Sequence, residues 1–138
     1  MKISLQVVAC LALVWVAGCE DVSRYEETRV QSLCVETTVA GTIEVDVALD
    51  VCLSSSCDKV VDSGCTVIEG ADGVLEIEAF AVIESKGETC TADCGGASVA
   101  CTFDAPLPQT YTVRAADGDV EVEYDAVAGE RVCSPDEL

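Results

Sequence analysis

Ten cysteines in a chain of 138 residues that has no histidine are the side chains with the most chemistry to offer. A cysteine sulfur serves as a metal-binding thiolate, as a nucleophile or as half of a disulfide, and its surroundings decide which. Zinc and iron–sulfur motifs set paired cysteines two residues apart. Here Cys90 and Cys94 have three residues between them, Cys52 and Cys57 have four, and no C-x-x-C pair occurs. Without histidine neither a Ser-His-Asp nor a Cys-His arrangement can be assembled, and the commonest zinc ligand is missing. The pattern points to disulfides, with no metal and no cofactor expected.

Oxygen chemistry is equally thin. Ser56-Cys57-Asp58-Lys59 matches the S-x-x-K pattern of penicillin-binding enzymes, but that family also needs the asparagine of S-D-N and a K-T-G triplet, and the chain has neither. Glu76 with Glu78, and Glu121 with Glu123, have the residue types of a glycosidase acid and base. At a spacing of two they are also what the wet side of a strand contains, and the solvated face is the expectation. Asp117-Gly118-Asp119 with Glu121, and Asp72 with its neighbours, offer oxygens to a weak surface Ca²⁺ site without meeting the spacing of an EF-hand loop. No catalytic residue is assigned, and the protein is not expected to be an enzyme.

The amino terminus carries the most specific signal. Lys2 is followed by an apolar run from Ile3 to Ala17 and by the small residue Gly18, which is the layout of a secretory signal. This run is shorter than the roughly 20 residues a bilayer-spanning helix needs. Its end, Val16-Ala17-Gly18-Cys19, resembles the lipobox of bacterial lipoproteins, in which the cysteine receives a diacylglyceryl group and becomes the new amino terminus. The resemblance covers residues 1–19. It implies a signal peptide at 1–18, lipidation at Cys19 and a lipid-anchored place in the bacterial cell envelope. Glu20, rather than Asp, follows the cysteine, which by resemblance to lipoprotein sorting in enteric bacteria points to the outer membrane. With Cys10 lost in the signal and Cys19 acylated, eight cysteines remain: Cys34, Cys52, Cys57, Cys65, Cys90, Cys94, Cys101 and Cys133. An even number suits an oxidising compartment, where all eight are expected in disulfides.

Loss of Lys2 with the signal leaves 6 of 7 basic residues against 26 acidic ones, a formal charge of −20. Such a surface repels nucleic acid and anionic headgroups, so no nucleic-acid partner is expected and any protein partner should be basic. Half of the residues are apolar, which separates the chain from disordered acidic sequences. The only tryptophan, Trp15, lies in the signal, so the mature chain cannot build an immunoglobulin-type Trp packed on a disulfide.

Stepping along the mature chain, residues 19–33 are polar and lack sustained periodicity, and they read as a lipidated acidic tether before a domain at 34–138. Ile43, Val45, Val47, Leu49 and Val51 alternate with polar or small residues, the mark of a strand with one dry face. Asp72-Gly73 and Asp117-Gly118, each between alternating segments, predict two hairpins, because Asp-Gly tolerates the positive φ of tight turns. Leu75, Ile77, Ala79, Ala81 and Ile83 form a second long inward face. Residues 52–64 and 88–96 read as loops stapled by cysteines, and Pro106 and Pro108 as a strand break. The expected strands are 35–39, 42–51, 65–69, 74–84, 98–103, 110–115 and 119–124.

About seven strands with turn signals between them predict an all-β fold, a disulfide-stapled antiparallel β-sandwich. The run Pro106 to Val113 (PLPQTYTV) resembles the opening of the penultimate strand in bacterial immunoglobulin-like modules, which implies an Ig-like topology. Eight cysteines allow 105 pairings. The expectation is one local bridge within Cys52, Cys57 and Cys65, one within Cys90, Cys94 and Cys101, one link between the clusters, and Cys34 to Cys133 across the termini. The functional expectation is a membrane-anchored lipoprotein with a non-enzymatic binding or structural domain. The alternative is an inhibitor or ligand-capturing module acting through the stapled loops.

Overall fold

The computed structural model describes residues 21–38, 41–87, 89–104, 110–125 and 130–135. The expected signal, Cys19, Glu88, Pro106 and Pro108 lie outside the described residues. Among the described residues there are nine strands: β1 (Val22–Glu27), β2 (Val30–Thr37), β3 (Thr42–Leu53), β4 (Asp58–Glu69), β5 (Val74–Lys86), β6 (Gly95–Asp104), β7 (Thr110–Ala115), β8 (Glu121–Asp125) and β9 (Val132–Ser134).

They form two facing sheets. In the first, β4 pairs with β5 along nearly its whole length. The other edge of β5 is shared by two strands placed end to end: β7 takes Val74 to Ile77, β1 takes Ala81 to Lys86, and β8 lies outside β7. The second sheet runs β6-β3-β2-β9. Each of the seven expected strands is present, and the fold is an all-β sandwich. One departure from a purely antiparallel arrangement is the parallel pairing of β5 with β7.

Alternation builds the core. Ile43, Val45, Val47 and Leu49 on β3 face Leu75, Ile77, Ala79, Ala81 and Ile83 on β5 across the sandwich, all buried. Val51 continues the inward face, partly buried against the core where the β3–β6 register slips between Leu49 and Leu53. Both Asp-Gly turns form as expected. Asp72 and Gly73 have φ of 60° and 76°, and Gly118 has φ of 79°, closing the β4–β5 and β7–β8 hairpins.

Two ties join the sheets at opposite sides. Cys65 on β4 bonds to Cys101 on β6, with Cα atoms 5.4 Å apart. On the other side the fully buried Tyr124 of β8 meets the Thr37 hydroxyl of β2 at 2.5 Å. Between them Phe103 and Tyr111 pack edge to face at 6.1 Å.

The tether expectation is corrected from residue 22 onward. Val22–Glu27 is an antiparallel neighbour of β5, and β2 begins at Val30, with Val30 and Leu33 in the core. A register slip between Val30 and Ser32 explains why the segment lacks periodicity: it shifts the buried positions to Val30, Leu33 and Val35. β1 is solvent-exposed along most of its length, so its backbone ladder, rather than an apolar face, holds it. The first stapled loop is also shorter than expected. It ends at Cys57, and Asp58 to Gly64 continue as a largely exposed stretch of β4.

Candidate functional site

All eight described cysteines are paired. Cys34 and Cys133 lie directly opposite each other on β2 and β9, as expected for the terminal bridge. The other three bridges, Cys52–Cys94, Cys57–Cys90 and Cys65–Cys101, each join one cluster to the other. The expected local bridges are therefore corrected. The reason is tertiary: β6 pairs with β3, which sets Cys94 beside Cys52, and β6 also approaches β4 across the sandwich.

Two of these bridges, Cys52–Cys94 and Cys57–Cys90, tie residues 52–58 to residues 89–94 in a hydrogen-bonded knot. Ser54 N–H donates to Asp58 Oδ2 at 2.7 Å, and Ser55 N–H to Asp93 Oδ2 at 3.1 Å. Thr91 N–H donates to Ser56 Oγ at 2.9 Å, the Ser54 and Thr91 hydroxyls meet at 3.0 Å, and the Thr91 hydroxyl also donates to Asp93. Hydrogen bonds from Ser55 and Thr91 lower the Asp93 carboxyl to about 2. Those from Ser85 and the Ser54 N–H hold Asp58 below its ordinary value. The Tyr25 hydroxyl of β1 is raised by burial and by the neighbouring Asp58 and Glu27 carboxylates. A carboxylate locked in its charged form is a poor general acid or base near neutral pH, so the knot reads as rigid scaffolding.

The S-x-x-K match dissolves in this geometry. Ser56 sits in the loop with its hydroxyl bound to Thr91, while Lys59 lies on β4 opposite Glu84. Disulfide sulfurs carry no thiolate, so the eight cysteines are not free to hold a metal. Among the described residues no group of three or more metal-ligating side chains converges.

A second feature was not legible from the sequence: an open notch of about 420 Å³ on the outer side of the first sheet. It exists because β1 and β7 share one edge of β5 without meeting. Pairing with β7 ends at Ile77, whose carbonyl accepts Ala116 N–H at 2.9 Å, and pairing with β1 starts at Ala81. Strand alternation turns the Ala79 backbone toward the same edge, into the gap. Glu26, Thr28, Ala116 and Asp117 form the ends, and Thr66, Glu78 and Phe80 complete the lining. The Phe80 ring lies across Gly64, where a Cβ would come within 2.6 Å of Cε1, so the glycine makes room for the aromatic.

Of the paired carboxylates, Glu76 bonds Arg114 at 3.0 Å, Glu78 lines the notch, and Glu121 and Glu123 are exposed on β8. Asp117 is engaged by backbone: Oδ2 accepts Val30 N–H at 3.1 Å and Oδ1 accepts Asp119 N–H at 3.2 Å. Asp72 occupies the hairpin turn with its backbone in the left-handed region. Neither aspartate belongs to a converging set of ligands. No family model, curated protein or solved structure matches the chain.

Proposed function

We propose that this protein is a non-enzymatic lipoprotein of the bacterial cell envelope, anchored by acyl chains on Cys19, whose acidic β-sandwich binds a basic protein partner. The observation that carries the reading is Val16-Ala17-Gly18-Cys19 closing an export-type segment, followed by eight cysteines that form four bridges with none left over. Two or more acyl chains give stable membrane attachment where a single chain does not.

Charge supports the choice of partner. A mature charge of −20, from 26 acidic and 6 basic residues, steers cationic surfaces toward the sandwich. The notch adds a place for a cationic side chain, since Phe80 stands beside Glu26 and Glu78, and an aromatic with carboxylates suits ammonium or guanidinium groups.

The anchor is tested by detergent phase partitioning and mass spectrometry of protein from its native host. The native chain should enter the detergent phase with an acylated first residue, and Cys19→Ser should remain aqueous. Membrane partitioning of Cys19→Ser refutes the anchor. A second reading, an inhibitor or ligand-capturing module, rests on the rigidity of the knot at Ser54–Cys57 and Thr89–Cys94. A pull-down separates the two: capture of a cationic protein, weakened by Glu78→Gln, supports the first. Capture of a protease, lost on replacing the Ser55 and Thr91 side chains, supports the second.

A further inference from the structure

We infer that the end of the first sheet formed by the start of β1, the start of β4 and the end of β5 is a lipid-docking face that seats the sandwich end-on against the bilayer. The inference rests on the lipid anchor proposed above and adds an orientation to it.

Distance comes first. Val22 opens β1 only three residues after Cys19, roughly 10 Å of extended chain, so an anchored Cys19 holds this end of the sheet at the headgroup layer. The surface found there differs from the rest of the molecule. Among the described residues five large apolar side chains are exposed, and four of them are at this end: Val22 (47%), Tyr25 (42%), Val60 (36%) and Val61 (38%). Register sets Tyr25 and Val60 on either side of Ile83 on one face of the sheet, while Val22, paired with Lys86, lies on the other face at the same end, so apolar side chains are found on both faces of this end. The fifth, Ile68, lies eight residues further along β4, about 26 Å away.

Charge follows the same division. Three of the six basic residues of the mature chain, Arg24, Lys59 and Lys86, gather here. They stand against Asp21, Glu26, Glu27, Asp58, Asp62, Glu84 and Asp93, with Lys86 Nζ 3.7 Å from Glu84. The end holds half of the six basic residues against about a quarter of the 26 acidic ones, so it repels anionic lipid less than the rest of the chain does. Tyrosine is at home at a membrane interface, and lysine reaches headgroups while its stem lies on apolar atoms. Docking in this way sets the stapled loops beside the bilayer, since Lys86 N–H bonds the Cys57 carbonyl at 2.9 Å.

The test uses full-length lipoprotein whose acylation has been verified by mass spectrometry, reconstituted into phosphatidylethanolamine–phosphatidylglycerol vesicles with or without brominated acyl chains. Because Trp15 leaves with the signal, Tyr25→Trp supplies a single fluorophore at the docking face, Val22→Trp is a second reporter there, and Ile68→Trp reports the far end. Brominated lipid should quench Tyr25→Trp and Val22→Trp by at least about half and leave Ile68→Trp unchanged. Adding Val60→Ser and Val61→Ser should reduce the quenching while acylation persists. Absence of quenching at both near-end positions in acylated protein, or equal quenching at Ile68→Trp, overturns the docking face and leaves the anchor standing. An unacylated Cys19 overturns both.

Discussion

Asp117 shows how a residue that looks like chemistry becomes architecture. Its two carboxylate oxygens hold the Asp119 N–H of its own turn and the Val30 N–H, 87 positions away at the start of β2. Asp117→Ala strands both donors and should destabilise the fold by about 1–3 kcal/mol in urea denaturation, with Asp117→Asn costing less because one acceptor survives. Asp93 carries a pH signature. Its folded value, lowered to about 2 by Ser55 and Thr91, lies below the unfolded one of about 3.9. The native state thus binds fewer protons, and the stabilisation is present above the unfolded value and lost as pH falls through the folded one. Asp93→Asn should flatten the decline in melting temperature between about pH 4 and pH 2, followed by circular dichroism. A decline as steep as that of the native protein contradicts the assignment.

At the scale of elements, β5 organises the first sheet, since β4, β1 and β7 all pair with it, while β3 organises the second. The edge strands β4 and β6 are held together by Cys65–Cys101. Removing that bridge as Cys65→Ala with Cys101→Ala should cost about 2–5 kcal/mol by freeing the unfolded chain, read as a lower guanidinium midpoint. The longest closure is Cys34–Cys133, with a sequence separation of 99. How legible these elements were depended on burial. β3 and β5 have one buried face each and announced themselves by strict alternation. β1 has no buried face and the start of β2 has a slipped register, so residues 22–33 give no periodic signal and read as tether, while 35–39 reads as a strand. The notch was illegible for a related reason: it is a gap between strands distant in the chain, and no local pattern encodes a gap.

For the whole molecule the dominant quantity is a formal charge of −19 on a small sandwich. Self-repulsion of that size opposes the compact state and is screened by salt, with a Debye length near 8 Å at about 0.15 M. The melting temperature should rise as NaCl is raised from about 10 mM to 0.5 M, and scanning fluorimetry with the disulfides intact would show it. A flat response would mean that the acids are locally compensated. Among the described residues Arg29, Lys86, Arg114 and Arg131 form salt bridges with Glu27, Asp50, Glu84, Glu76, Glu36 and Asp46, while the chain has 26 acidic residues against 7 basic ones.

Composition and local pattern were enough for the fold class, the long strands, both Asp-Gly hairpins and the readiness of the cysteines to pair, because each follows from short-range chemistry: alternation, permissive φ and thiol spacing. Partner choice among the cysteines, the strand character of Val22–Glu27 and the notch beside Phe80 arose only on folding. Each depends on which strands lie side by side, and that is a contest among non-local contacts over shared core area that residues adjacent in sequence do not record.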